Sequence, residues 1–194
     1  RLQGVQMLLD DVVLLEVTED VARQFGQLRA GLLDAGRPTP EMDLWIAATA
    51  LVHGLTVVTH NTQDFAHIPG LKVVMPTTAE DAKGLLLSSI FDPDPVIFLE
   101  HRWLHNMKGE VPAGDTRTPI GQAQLLRQGG DLTMVAMSYM TVEALHAVDH
   151  LAAQGIACDL IDLRTIRPLD FKAIADSVRR TGRLLVLDTG YATG

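Results

Sequence analysis

The sequence predicts an α/β fold with mostly parallel sheets and flanking helices, arranged as two units. Three observations carry this. Short, almost wholly apolar runs rich in β-branched residues recur along the chain, as strands buried on both faces of a parallel sheet require. Amphipathic helical patterns with start and stop signals separate them. One stretch, residues 102–117, breaks the alternation with Gly109, Pro112 and Gly114 and no period, and reads as a connection between two sheets.

Taken in order, a first strand is expected over residues 12–17. Thr18 caps a helix that Gly36 ends, and Thr39 before Pro40 opens a second that Gly54 ends. Strands follow at 55–59 and 71–75. Thr77-Thr78-Ala79-Glu80 has capping-box spacing ahead of Ala82, Leu85, Leu86 and Ile90, and a strand over 95–100 comes next. Beyond the connection, strands at 132–137, 156–163 and 183–188 bracket two helices. The first, over 141–154, buries Val142, Leu145, Val148, Leu151 and Ala152 and turns Glu143, His146 and His150 outward. The second buries Phe171, Ile174, Ala175 and Val178.

With 194 residues, 47% of them hydrophobic and 21% charged, the chain has material for one large or two small domains and is not intrinsically disordered. Sixteen basic against 24 acidic residues give a net charge of −8 and no contiguous basic run stands out, which argues against a backbone-neutralising grip on DNA. RNA cleavage through a bound metal stays open. The single cysteine, Cys158, excludes an internal disulfide and a multi-cysteine zinc site, and suits a cytoplasmic protein. No apolar run reaches membrane-spanning length, so no membrane partner is expected. Starting at Arg1 and stopping at Gly194 after a strand-like run, the text reads as a fragment.

Several residues invite functional readings that plainer ones outweigh. His146 and His150 share a helix face, but Ala147 stands where a zinc protease needs glutamate, so a solvated face is expected. His101 and His105 decorate a loop around Arg102 and Trp103. Gly129-Gly130 is read as a turn, Ser138 lacks the glycines of a nucleophile elbow, and Cys158 should be buried and inert. Arg164 and Arg167 are expected to pair with Asp162 and Asp170.

The first seventy residues carry Gly36-Arg37-Pro38-Thr39-Pro40-Glu41-Met42-Asp43, Ile46-Ala47-Ala48-Thr49-Ala50-Leu51, and then Thr59-His60-Asn61-Thr62-Gln63-Asp64-Phe65. These words resemble the C-terminal half of a PIN-domain ribonuclease, the toxin of a toxin–antitoxin pair. The resemblance implies a carboxylate cluster holding Mg²⁺ or Mn²⁺ that activates water against RNA, with an antitoxin as partner. Asp43 and Asp64 match the family's two late acids, and Thr59 and Asn61 its polar strand-end positions. The two early acids would lie upstream of Arg1, which leaves a two-carboxylate half-site. Read from the residues alone, Asp43 is a first-turn helix acid and Asp64 a solvated cap.

From about residue 66 the words change. Ile68-Pro69-Gly70-Leu71-Lys72-Val73-Val74-Met75-Pro76, Asp92-Pro93-Asp94-Pro95-Val96-Ile97-Phe98-Leu99-Glu100-His101, Asp162-Leu163-Arg164-Thr165-Ile166-Arg167-Pro168-Leu169-Asp170 and the run from Thr181 through Gly190 stand in sequence. They resemble the beta chain of thiamine-diphosphate-dependent 2-oxoacid dehydrogenases of the pyruvate, branched-chain or acetoin type. By that resemblance residues 71–112 are the end of a transketolase-like pyrimidine-binding domain with its linker, and 113–194 a truncated transketolase-type C-terminal domain. The family's thiamine diphosphate and Mg²⁺ positions lie in the alpha chain and in the missing first half. One implied site falls inside the chain: a K⁺ position using carbonyls of Ser89 and Ile90 with Asp92 and Asp94 beyond. The alternative is that Asp92-Pro93-Asp94-Pro95 is only a turn.

Phe65-Ala66-His67-Ile68-Pro69-Gly70-Leu71 is acceptable text in both families, so a joint there keeps the local structure. The expectation is a truncated, chimeric chain, an artefactual fusion ahead of an evolved one. Its two stubs would pack into a makeshift sheet sharing the strand 71–75. The implied function is an assembly part of a dehydrogenase beta chain, inactive alone, that pairs with an alpha chain, another beta chain and the acyltransferase core. The competing classes are an incomplete PIN-type ribonuclease and a non-catalytic fusion.

Overall fold

In the computed structural model, residues 12–65 and 67–188 are described. The readings that fall on residues 1–11, Ala66 and 189–194 lie outside them. The elements, in order, are α1 (Glu19–Asp34), α2 (Glu41–His53), β1 (Val57–Thr59), α3 (Thr62–Phe65), β2 (Lys72–Val74), α4 (Ala79–Ile90) and β3 (Val96–Leu99). A 3₁₀ helix (Arg102–Asn106) precedes β4 (Gln124–Arg127), β5 (Leu132–Ala136), α5 (Tyr139–Ala152), β6 (Cys158–Asp162), β7 (Thr165–Arg167), α6 (Phe171–Thr181) and β8 (Leu184–Val186).

Two four-stranded sheets form, in the orders β1-β3-β2-β7 and β4-β6-β5-β8. In the first, β1 and β2 both run parallel to β3, and β7 closes the edge antiparallel to β2. In the second, β6 and β8 run parallel to β5, and β4 lies antiparallel to β6. The makeshift sheet therefore exists, although β1 docks on β3 and not on β2. The connection after β3 does lead from one sheet to the other. The boundary is not clean, because β7 returns from the C-terminal part to the first sheet.

Strand alternation gives the first sheet two cores. Val73, Met75, Ile97 and Leu99 face α1 and α2, joining Val21, Leu28, Leu32, Leu44, Ala47, Ala48, Phe65, Ile68 and Leu71. Val74, Val96 and Phe98 face the other way and pack with Leu85 of α4. Phe25 and Trp45 stack between α1 and α2 with centroids 4.0 Å apart. In the second sheet Met134, Ala136, Cys158 and Leu160 pack against Ala144 and Val148 of α5. The face under α6 is polar instead: the Thr133 hydroxyl lies 2.7 Å from those of Ser177 and Thr181, and buried Asp159 bonds Ser177 and Arg180.

Local signals hold with shifts. Thr18 caps α1, accepting from Val21 N, and Gly54 ends α2 in the left-handed region. Pro40, not Thr39, is the residue before α2; Thr39 instead bonds His67 Nε2 at 2.7 Å. Thr78 caps α4 by accepting from Asp81 N, so Asp81 and not Glu80 completes the cap. Residues 12–17 form no strand, and Val13 is 87% exposed, since no neighbour strand among the described residues pairs with them. Phe171 also leaves its expected stripe and is 71% exposed at the start of α6. Gly84 is required where α4 meets the connection: a Cβ there would sit 2.2 Å from Thr118 Oγ1.

The two sheets are tied by a buried ion pair. Arg164 Nη2 reaches Asp81 Oδ1 at 2.8 Å, and Asp81 is 1% exposed. The expected partners Asp162 and Asp170 do not pair with either guanidinium: from Arg164, Asp162 accepts the backbone N–H, and Asp170 caps α6 through Ala173 N. Arg167 donates to the carbonyls of Ile68 and Leu71. Removing one member of a buried pair strands the other charge, at a cost of about 3–5 kcal/mol. Arg164→Met is expected to lower the unfolding free energy by that amount in urea titration, and Asp81→Asn combined with it to restore part of the loss.

Candidate functional site

Chemistry-bearing side chains gather at the C-terminal ends of β1 and β3, where open parallel sheets place their sites. Asp43 stands in the first turn of α2, Thr59 ends β1, and Asn61 and Asp64 follow at α3. All four come together. Asn61 Nδ2 donates to Asp64 Oδ2 at 2.8 Å and to Asp43 Oδ2 at 3.4 Å, and Asn61 N donates to Thr59 Oγ1 at 3.1 Å. Burial, and then the Asp64 charge, hold the Asp43 carboxyl above its usual range.

The donor set is oxygen-rich, with two carboxylates, one amide and one hydroxyl. Mg²⁺ is commonly held by one or two carboxylates with waters completing its shell. The residues fit such an ion, which would polarise a bound water or phosphate; the amide of Asn61 already offsets the repulsion between the two acids.

The Ser89–Asp94 turn is arranged otherwise. Lys72 Nζ sits 2.7 Å from Asp92 Oδ1 and 3.0 Å from Asp94 Oδ2, and those hydrogen bonds to Asp92 and then Asp94 raise the lysine pKa. The Ser89 carbonyl accepts from Thr56 Oγ1 at 2.9 Å, and Ile90 is exposed at the end of α4. A cation already stands between the two carboxylates: the lysine ammonium.

The cleft between the sheets is mostly apolar. That cavity, about 340 Å³, is lined by residues such as Met75, Val135, Met137, Leu163 and Leu187 and by Ser138 and Tyr139 at the N-terminus of α5, with no lysine or arginine among the described residues of its wall. A diphosphate needs cationic or helix-end donors. His101 at its rim stacks on Tyr139, and burial together with His105 lowers its pKa.

His146 and His150 lie exposed on α5, His150 bonding Gln154. Cys158 is buried, and desolvation followed by Asp131 and Asp159 raises its thiol pKa, so it is inert as expected. Asp162 carried more than the sequence reading gave it. It is fully buried, its Oδ2 has no hydrogen-bond partner among the described residues, and desolvation, aided by Asp81 and opposed by a Thr77 hydrogen bond, lifts its pKa to about 6. An acid inside the apolar word Leu160-Ile161-Asp162-Leu163 was the available signal.

Comparison with known proteins finds three domain models along the chain. The transketolase C-terminal domain model matches residues 121–194, the transketolase pyrimidine-binding domain model residues 58–107, and the PIN domain model residues 1–71. The last two overlap from residue 58 to 71, across β1 and the turn into β2. The beta subunit of acetoin:2,6-dichlorophenolindophenol oxidoreductase from Cupriavidus necator is 49% identical over 124 residues, 64% of this chain and 37% of that protein. The pyruvate dehydrogenase E1 component subunit beta of Rhizobium meliloti is 51% identical over 128 residues, 66% of this chain and 28% of its own length. About two thirds of this chain is homologous to 2-oxoacid dehydrogenase beta subunits. The 2-oxoisovalerate dehydrogenase subunit beta of Bacillus subtilis, 43% identical, covers 70% of this chain with 42% of its own. A solved structure described as a split gene transketolase, inactive beta4 tetramer, superposes with a TM-score of 0.59 at 28% identity, over 68% of this chain and 46% of that one. The chain thus spans less than half the length of these relatives. No helix among the described residues is long and apolar enough to cross a membrane.

Two titrations test the site. The Asp162 carboxyl titrates near 3.8 when unfolded and near 6 when folded. Between those values the folded state holds the extra proton, so stability falls as pH rises through that window, by on the order of 3 kcal/mol. Denaturant unfolding at pH 4 and pH 7 should show this slope in the wild type and its absence in Asp162→Asn. Carboxyl NMR titration of Asp64→Asn should find the Asp43 pKa moved part of the way back toward 3.8, because burial remains when the Asp64 charge is gone.

Proposed function

We propose that this chain is an assembly part of a 2-oxoacid dehydrogenase beta subunit, inactive in decarboxylation by itself. The parent reaction joins oxidative decarboxylation of a 2-oxoacid on thiamine diphosphate to acyl transfer onto a lipoyl carrier. The reading rests on one observation: about two thirds of the chain is homologous to beta subunits of which it spans less than half the length. The natural partners are an alpha chain, which would bring the diphosphate and Mg²⁺ positions, a second beta chain and the acyltransferase core, in the cytoplasm. We assign residues 1–70 to the PIN-like C-terminal half, 71–112 to the pyrimidine-domain remnant and 113–194 to the C-terminal unit. At Ser89, Ile90, Asp92 and Asp94 the cation role falls to Lys72 in place of K⁺.

The convergence of Asp43, Asn61 and Asp64 favours a second reading, Mg²⁺- or Mn²⁺-dependent cleavage of RNA under control of an antitoxin. Mixing the purified chain with a dehydrogenase alpha chain separates the two. Co-elution on size exclusion, with no RNA cleavage in Mg²⁺, is the expected result. Absence of co-elution, with RNA cleavage that Asp64→Ala abolishes, would replace the first reading by the second.

A further inference from the structure

A second set of ligand-bearing side chains stands on the same sheet edge and differs in chemistry from the acid pair. The parallel register pairs Thr59 with Leu99, and Glu100 N donates to Thr59 O at 3.1 Å. His60 and Glu100 are therefore the first residues beyond two adjacent strand ends. The 3₁₀ helix then turns the chain back at once, with Leu104 N bonding His101 O at 2.9 Å, and this returns His105 over the same edge.

Three ligand atoms converge. His60 Nε2 lies 3.3 Å from His105 Nε2 and 3.5 Å from Glu100 Oε2, and His105 Nε2 lies 3.7 Å from that same oxygen. The two imidazoles are within hydrogen-bond reach of each other, but both contacts to Glu100 Oε2 are longer than an ordinary hydrogen bond, so that single pair does not account for the carboxylate's place in the arrangement. The nearest point equidistant from three atoms at 3.3, 3.5 and 3.7 Å lies in their plane about 2.0 Å from each, and a small step out of the plane toward a fourth ligand keeps it at the Zn–N and Zn–O bond length. The imidazoles are tilted by 58°, unstacked.

We propose that His60, Glu100 and His105 form a three-ligand site for a divalent transition ion of the zinc class, with its fourth position open to solvent. Two imidazoles and one carboxylate suit Zn²⁺, whereas the oxygen-only set at Asp43, Asn61 and Asp64 suits Mg²⁺. The side chains are 50%, 39% and 47% exposed, which leaves room for a water or a substrate atom as fourth ligand. A cavity of about 390 Å³ adjoins them, walled by Met75, His101, Trp103 and Tyr139. The ion would also stitch the seam: His60 lies in the stretch that both the PIN and pyrimidine-domain models match, while Glu100 and His105 lie beyond the PIN match.

The test is equilibrium dialysis of the full chain against Zn²⁺, with Co²⁺ absorption as the geometric readout. One Zn²⁺ per chain is expected, with affinity reduced at least roughly 100-fold in His60→Ala and in His105→Ala and unchanged in Asp64→Asn. Co²⁺ should give the intense visible bands of four-coordination, lost in either histidine variant. Glu100→Gln keeps the side chain's shape and should also weaken binding, which guards against a histidine variant that misfolds; far-ultraviolet circular dichroism without metal should match the wild type for all three. Failure to bind Zn²⁺, binding that survives the histidine substitutions, or binding that Asp64→Asn removes would each overturn the proposal.

Discussion

The buried contact between Asp81 and Arg164 is the constraint on which the arrangement of the two sheets depends. Asp81 belongs to the first turn of α4, on the first sheet, and Arg164 to the turn that leaves the second sheet after β6. Desolvating both charges is expensive unless every lone pair and proton is served. Here the Asp81 carboxylate also accepts from the hydroxyls of Thr78 and Thr118 and the Arg164 guanidinium donates to Gln124, which leaves Arg164 Nε as the buried group without a hydrogen-bond partner among the described residues. Arg164 adopts a left-handed backbone to make the turn. Immediately after it Thr165 starts β7 beside β2, so the electrostatic clamp and the antiparallel pairing hold the same two bodies together. Asp162, two residues earlier, bears part of the cost, for the Asp81 charge is among the causes that keep it protonated toward pH 6.

The seam in the first sheet is a packing problem with a simple solution. A parallel strand presents the same hydrogen-bond ladder whatever helix precedes it, so β1 needs only an apolar partner in register. Ile97 and Phe98 of β3 supply it from opposite faces, one toward α1 and α2 and the other toward α4. Thr56 then ties the entry to β1 to the carbonyl of Ser89 at the end of α4. Arg167 closes the joint by taking up the carbonyls of Ile68 and Leu71, backbone acceptors that the turn into β2 would otherwise leave poorly served.

What was legible in the sequence followed from local rules. Thr18, Thr78, Gly54 and Gly36 mark helix ends through bonds or backbone angles set within a few residues, and those ends hold to within one position. The strands buried on both faces were legible as continuous apolar runs. β4, which alternates Gln, Leu, Leu, Arg beside one neighbour, and β7, three residues ended by Pro168, were not, because an edge strand needs apolar side chains on one face at most. Residues 12–17 show the converse: β-branched content without a partner strand makes no strand. At the site, Asp43, Thr59, Asn61 and Asp64 were readable as a set through the family words alone. The Lys72 clamp and the approach of His60 to His105 join residues 20 and 45 positions apart, which no spacing rule links.

The two sheets divide their polar groups according to what each can bear. At the C-terminal edge of the first sheet the carboxylates, amide and imidazoles stay partly open to water, so their mutual repulsion is screened and a metal ion can replace solvent without an uncompensated burial. Under α6 in the second sheet, Thr133, Asp159, Ser177 and Thr181 are sealed from water and satisfied by one another, by Arg180 and by the backbone of Gly129 and Arg183. A network of that kind has no donor or acceptor to spare for a ligand; what it gains is a fixed angle between α6 and the sheet. Ligand chemistry therefore belongs to the first sheet's edge and not to the sealed face under α6.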